Sequence, residues 1–215
     1  MKLYSKLFSK LLFSGLLLIA PLCSVSFAAN TGESQLNHFL KNSKGFMATF
    51  SQSLFDENGI ELQFSAGRFS LQKPGKFSWD YEEPYHQIIM SNGKVIWMFD
   101  SELEQVTIKP VDASLSKTSM VLLFDDTDLK KDFKIIELDV VKNVSWLELV
   151  SKDSSAEFSH IMIGLKDNRI VGIRLIDGFN QTTEIKFTDI NTTPNFKENR
   201  FEFNIPRNVD VIGGE

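Results

Sequence analysis

From Phe46 onward, apolar residues recur at every second position rather than every third or fourth. The clearest run is KPGKFSWDY, residues 73–81. Phe77, Trp79 and Tyr81 fall on one face of an extended strand there, and Lys76, Ser78 and Asp80 on the other. This period confines most of the chain to pleated sheet. Phe46, Ala48, Phe50 and Leu54 alternate in one strand, and Leu62, Phe64 and Ala66 begin the next. The phase then slips to Phe69 and Leu71, which predicts a bulge at Gly67. HQIIMSNGKVIWMFD reads as a hairpin turning on Asn92-Gly93. Alternation continues in 104–109, at Phe133 and Ile135, Leu147 and Leu149, Ile161 to Leu165, Val171 to Leu175 and Ile185 to Phe187. The terminal RFEFNIPRNVDVI carries Phe201, Phe203 and Ile205.

Two segments break the rhythm. Residues 31–44 read as a helix: Thr31 caps it, Leu36, Phe39 and Leu40 share one side, and Gly45 stops it. Residues 112–124 place Leu115, Leu122 and Leu123 at helical spacing. About ten or eleven strands joined by short connections favour antiparallel neighbours. The expected class is mainly β with a few helices (α+β). A large, strongly curved antiparallel sheet, open or nearly closed, holds helices against its concave apolar face.

The first 28 residues are set apart. Lys2, Lys6 and Lys10 precede an apolar run from Leu11 to Ala20, then Pro21 and Ser26-Phe27-Ala28. That is the layout of a secretory signal peptide over 1–28, leaving 29–215 as one domain. Cys23 is the only cysteine. Leu22 and Pro21 before it do not suit lipid modification, and cleavage after Ala28 removes it, excluding disulfides and thiolate chemistry. Loss of three lysines and no acid takes the net charge from −5 to −8. So acidic a chain is a poor binder of nucleic acid or anionic membrane.

Catalytic constellations are missing from the sequence. There is no Gly-x-Ser-x-Gly elbow, glycine-rich phosphate loop or metal-ligand spacing. His38, His86 and His160 are scattered, although His160 can approach a carboxylate in the fold. The expectation is a protein that is not an enzyme and uses neither metal nor cofactor.

Phe50 to Gln52 (FSQ), KPGKFSWDYEEP, QIIMSNGKVIWMFDSELEQVTI and the terminal FEFNIPRNVDVI stand in order over nearly the whole mature chain. Together they resemble the periplasmic outer-membrane lipoprotein carrier proteins, the LolA-like family. The resemblance implies an unclosed β-barrel with helices as a lid. It implies a periplasmic chaperone that accepts acylated lipoproteins from an inner-membrane ATP-driven complex and delivers them to an outer-membrane receptor. It also implies that Phe50, Phe64, Phe77, Trp79, Ile88, Met90, Trp97 and Phe99 form or support the apolar concavity. Leu40, Leu122 and Leu123 would face it from the lid. The family places an arginine before its Pro-Gly, latching the lid to helix carbonyls; here that residue is Lys73, which lacks the planar fork of donors. A monomer is expected. Two alternatives stay open: a lipid-anchored outer-membrane acceptor of the same fold, and a periplasmic lipid- or lipoprotein-sensing regulatory module.

Overall fold

The computed structural model describes residues 31–111, 129–153 and 158–214. Residues 1–28, where a signal peptide is expected, with Cys23, and Leu115, Leu122 and Leu123 lie outside the described residues. Helix α1 (Gly32–Asn42) precedes β1 (Gly45–Phe55), β2 (Glu61–Gln72), β3 (Lys76–Glu83), β4 (Gln87–Asn92), β5 (Val95–Asp100) and β6 (Gln105–Pro110). A short α2 (Leu129–Asp132) leads into β7 (Phe133–Val141), β8 (Val144–Ser151), β9 (Phe158–Lys166), β10 (Arg169–Asp177), β11 (Thr182–Asn191) and β12 (Asp210–Gly213).

The strands form one twelve-stranded sheet in the order β12-β6-β5-β4-β3-β2-β1-β11-β10-β9-β8-β7. Among the described residues, β7 and β12 are the two edge strands, and the sheet is not closed. Neighbours are antiparallel except β12, which runs parallel to β6.

Residues directly opposite in a ladder share a face, so the register assigns every side chain to one of two surfaces. Phe46 faces Leu71, Phe50 faces Phe187, Phe69 faces Trp79, and Ile173 faces both Ile163 and Ile185. These side chains form the main core on what becomes the inner face. Their rings interlock: Phe50 meets Trp79 edge-on with centroids 4.8 Å apart, and Phe46 meets Phe187 at 5.4 Å.

Three details of the reading change. The phase between Ala66 and Phe69 does not slip, because β2 keeps unbroken register with β1 there. Phe64 and Ala66 simply occupy the outer face. The irregularity lies on the β3 side, where Ala66 pairs with Glu83 but Gly67 with Tyr81, leaving Glu82 as the extra residue. Gly67 is needed because a Cβ there would lie 2.0 Å from the Asp80 carbonyl oxygen. The β4–β5 turn is Gly93-Lys94, not Asn92-Gly93; Gly93 takes φ 88°, and the Asn92 Oδ1 accepts from the Lys94 and Val95 amides. Gly45 does not stop α1. The helix ends on an extended Ser43, whose N–H donates to Phe39 O, and Gly45 opens β1.

The terminal phenylalanines belong to no strand. Between β11 and β12 the chain crosses the outer face. Arg200 Nη2 donates to Ser70 Oγ at 3.0 Å, Phe203 lies 5.7 Å from Phe99, and Phe201 is 3% exposed. Met90 and Val106 are also buried on this face, apart from the main core. Burial depresses the Arg200 pKa below that of a free guanidinium.

Candidate functional site

The inner face meets helix α1. Thr31 caps the helix by accepting from the Ser34 amide at 3.1 Å. Leu36 and Phe39 are buried against the sheet, and Phe39 meets Phe46 edge-on at 5.8 Å. Leu40 packs partly buried on the same core. The apolar stripe that makes the helix amphipathic is therefore the surface that covers the sheet.

Polar contacts fasten the helix at both ends. At its start, the Glu137 carboxylate on β7 accepts from the Gly32 amide at 3.1 Å and from the Glu33 amide at 2.8 Å. A carboxylate suits this place, because first-turn N–H groups lack intrahelical partners and carry partial positive charge. Gln35 adds two more ties: its Nε2 donates to Ser145 Oγ at 3.1 Å, and its Oε1 accepts from the Asn168 amide at 3.1 Å. At the other end the Lys73 Nζ donates to the Leu40 carbonyl at 2.8 Å. The Lys73 amide also donates to Lys44 O at 3.1 Å. Helix α1 thus bridges the β7–β9 side of the open sheet and the β2–β3 turn.

Further along the inner face, Tyr81 stacks edge-on with Phe50 at 5.1 Å. Burial raises the Tyr81 pKa above the ordinary phenol value. Beyond Trp79 the same surface continues through Ile89 and Met98, which pair in register and are only partly buried.

The sequence matches the family "Outer membrane lipoprotein carrier protein LolA" over residues 41–204. The chain belongs to the LolA family. The outer-membrane lipoprotein carrier protein of Methylococcus capsulatus is 36% identical over 199 residues, covering 91% of this chain and 96% of that one. That of Nitrosomonas europaea is 34% identical over 178 residues, covering 82% and 86%. A protein from Thermus thermophilus shares the fold, with TM-score 0.54 at 14% identity, covering 84% of this chain and 97% of that one.

Within this LolA-family chain, the register divides the expected site residues. Phe50, Phe77 and Trp79 share the inner face and are buried; Leu40 of α1 packs on the same core cluster. Phe64, Ile88, Met90, Trp97 and Phe99 lie on the outer face. Met90 faces Ser78 and Trp97, while Ile88 faces Asp80 and Phe99. The expectation that these five line the concavity is therefore corrected: the register leaves them a place only behind it. The residues that continue the wall are Ile89, Ile96 and Met98, which the alternation reading passed over. The expectation that His160 can reach a carboxylate holds: its Nδ1 lies 2.7 Å from Glu148 Oε1. That pair is on the outer face, opposite the helix.

Proposed function

We propose that this chain is a periplasmic chaperone that binds the acyl chains of lipoproteins released from the inner membrane and delivers them to an outer-membrane receptor. An inner-membrane ATP-driven complex loads it. The observation that carries the reading is a helix lying on an aromatic inner face, fastened at its C-terminal end by the Lys73–Leu40 hydrogen bond. The names of the relatives at 36% and 34% identity support the same cargo.

The physics suits a carrier. An acyl chain gains about 0.8 kcal/mol per methylene on leaving water, so a diacylated or triacylated protein cannot cross an aqueous space uncovered. The carrier must cover the chains without holding them irreversibly. When empty, Leu36, Phe39 and Leu40 of α1 occupy the apolar surface themselves. Displacing them consumes part of the gain from cargo burial, which weakens net affinity and permits release. Lys73 sets how readily that displacement begins. Phe50, Phe77 and Trp79, continued by Ile89 and Met98, form the acyl-contacting wall in this reading.

The test uses residues 29–215 and one purified lipoprotein, intact and with its acyl chains removed. A soluble complex with the intact form alone is expected. Equal binding to both forms rejects acyl recognition.

A further inference from the structure

We propose that the adjoining tips of the β1–β2 and β10–β11 connections form a docking surface for a protein partner that presents basic residues around an apolar slot. The inference rests on the carrier reading only in where such a partner acts, namely at the envelope membranes.

The two tips are neighbours, because Phe55 pairs with Glu61 on one side and Thr182 on the other. They also project. The last β2–β3 pair is Ala66 with Glu83, so β2 runs on from Glu61 with no β3 beside it. Large apolar side chains stand in solvent there: Phe179 is 83% exposed, Ile60 62% and Leu62 53%. Single exposed apolar residues are ordinary, but several gathered on two adjoining turns mark an interaction surface.

Both tips are built alike, with an aspartate accepting from the backbone amide of the apolar residue. Asp56 Oδ1 accepts from the Asn58 amide at 2.9 Å and the Ile60 amide at 2.7 Å. Asp177 Oδ1 accepts from the Phe179 amide at 2.8 Å and the Gln181 amide at 2.9 Å. An apolar side chain on an ordered turn loses less freedom on binding than one on a loose loop.

Charge selects the occupant. Residues 51–65 contain Asp56, Glu57 and Glu61 and no lysine, arginine or histidine; residues 175–183 contain Asp177 and likewise no cation. Of the cations on this face, Arg174 is paired with Glu184 and Arg68 with Glu82, and Lys186 stands back from the tips, opposite Ser51. A rim of carboxylates repels an anionic leaflet and attracts a basic protein surface.

The experiment uses two variants of residues 29–215, Ile60→Ser/Leu62→Ser/Phe179→Ser and Glu57→Lys/Glu61→Lys. Both spare Asp56, Asp177, the inner face and α1. Sedimentation is measured with envelope vesicles of the bacterium that carries the chain, with the same vesicles stripped by protease, and with protein-free phosphatidylethanolamine–phosphatidylglycerol vesicles. The parent protein should bind intact vesicles, more weakly at high salt, and neither of the other two. Each variant should lose about tenfold in affinity while binding a synthetic diacylated peptide as the parent does. Parent binding to protein-free vesicles would mean lipid docking and overturn the proposal, as would undiminished binding of the variants or no parent binding to intact vesicles. Failure of the parent to bind the diacylated peptide instead sinks the carrier reading, and the vesicle comparisons still decide the docking surface.

Discussion

The Lys73 Nζ and the Leu40 carbonyl oxygen, 33 residues apart in sequence, meet at 2.8 Å and tie the last turn of α1 to the start of the β2–β3 turn. The carbonyls of a last turn lack intrahelical donors, so a cation there is stabilising on two counts.

Replacing Lys73 should loosen one end of the helix only. A hydrogen bond from a charged donor contributes about 1.5–3 kcal/mol. Lys73→Met should therefore raise amide exchange about tenfold or more over residues 39–43, with little change near Gly32. Lys73→Arg should slow exchange there, because the planar guanidinium offers more donors in fixed directions. Hydrogen exchange with mass spectrometry reads both variants. Faster exchange in Lys73→Arg would remove the latch assignment.

Glu137 makes the opposite prediction for the helix start. Glu137→Ala strips acceptors from two first-turn amides and should cost about 1–2 kcal/mol, as for loss of a helix cap. The denaturant midpoint should fall, and exchange should quicken at residues 32–35 rather than 39–43. Glu137→Gln keeps one acceptor oxygen and should fall between the two. Equal stability of Glu137→Ala and the parent would show that Thr31 caps the helix unaided.

Gly67 allows no side chain. A Cβ would sit 2.0 Å from the Asp80 carbonyl oxygen and 2.9 Å from the Tyr81 Cα, so Gly67→Ala must push β3 away from β2 or break their pairing. The loss should exceed the cost of about 1–3 kcal/mol that is usual for overpacking, because backbone rather than a movable side chain is struck. Urea unfolding monitored by tryptophan fluorescence should show it through Trp79, whose strand would move.

Most of the strands, the antiparallel pairing of neighbours in sequence and helix α1 could be read from the sequence because each was written in one clear period; the pairing of β1 with β11 and of β12, in parallel, with β6 could not. The division of β4 and β5 between faces could not. Ile88, Ile89 and Met90 are all apolar, as are Ile96 to Phe99. Both faces of these strands are covered: the inner by the main core, the outer by the segment carrying Phe201 and Phe203. A strand buried on both sides loses the alternation that marks its inward face. The alternating Phe201, Phe203 and Ile205 of the terminal segment gave no sign that it covers the outer side rather than extends the sheet. Lys73, by contrast, was legible through the family pattern, and Glu137 was not, because one carboxylate on a strand gives no sign of the helix above it.

Asp56 gives the β1–β2 tip a dependence on pH. Its pKa is lowered from the ordinary 3.8, chiefly by the hydrogen bond from the Ile60 amide. A group whose folded pKa is depressed contributes stability above its unfolded pKa and loses it as pH falls through the folded value. The Ile60 amide should therefore exchange slowly at neutral pH, relative to its unprotected rate, and lose protection only as pH falls below the ordinary carboxyl value of 3.8. Asp56→Asn should lack that acid-dependent step. NMR exchange of the Ile60 amide checks it, and an identical pH profile in the variant would assign the protection to another group.

Met98 and Phe99 are adjacent in sequence and opposite in face, so they separate acyl binding from simple packing. Met98 lies partly buried on the inner side, opposite Ile89; Phe99 packs outward on Phe203 at 5.7 Å. Met98→Glu puts a carboxylate where the proposal places hydrocarbon. A charge facing an acyl chain must keep its water or be neutralised, so affinity for a diacylated peptide should fall at least about tenfold while the fold survives. Phe99→Ala should instead lower stability by about 1–3 kcal/mol, less than for a fully buried phenylalanine because the ring is only partly covered, and leave peptide affinity within about twofold. Isothermal titration and urea unfolding on both variants read the two axes. The reverse outcome, with affinity lost in Phe99→Ala and kept in Met98→Glu, would move the acyl chains to the outer face and reject the inner surface as their site.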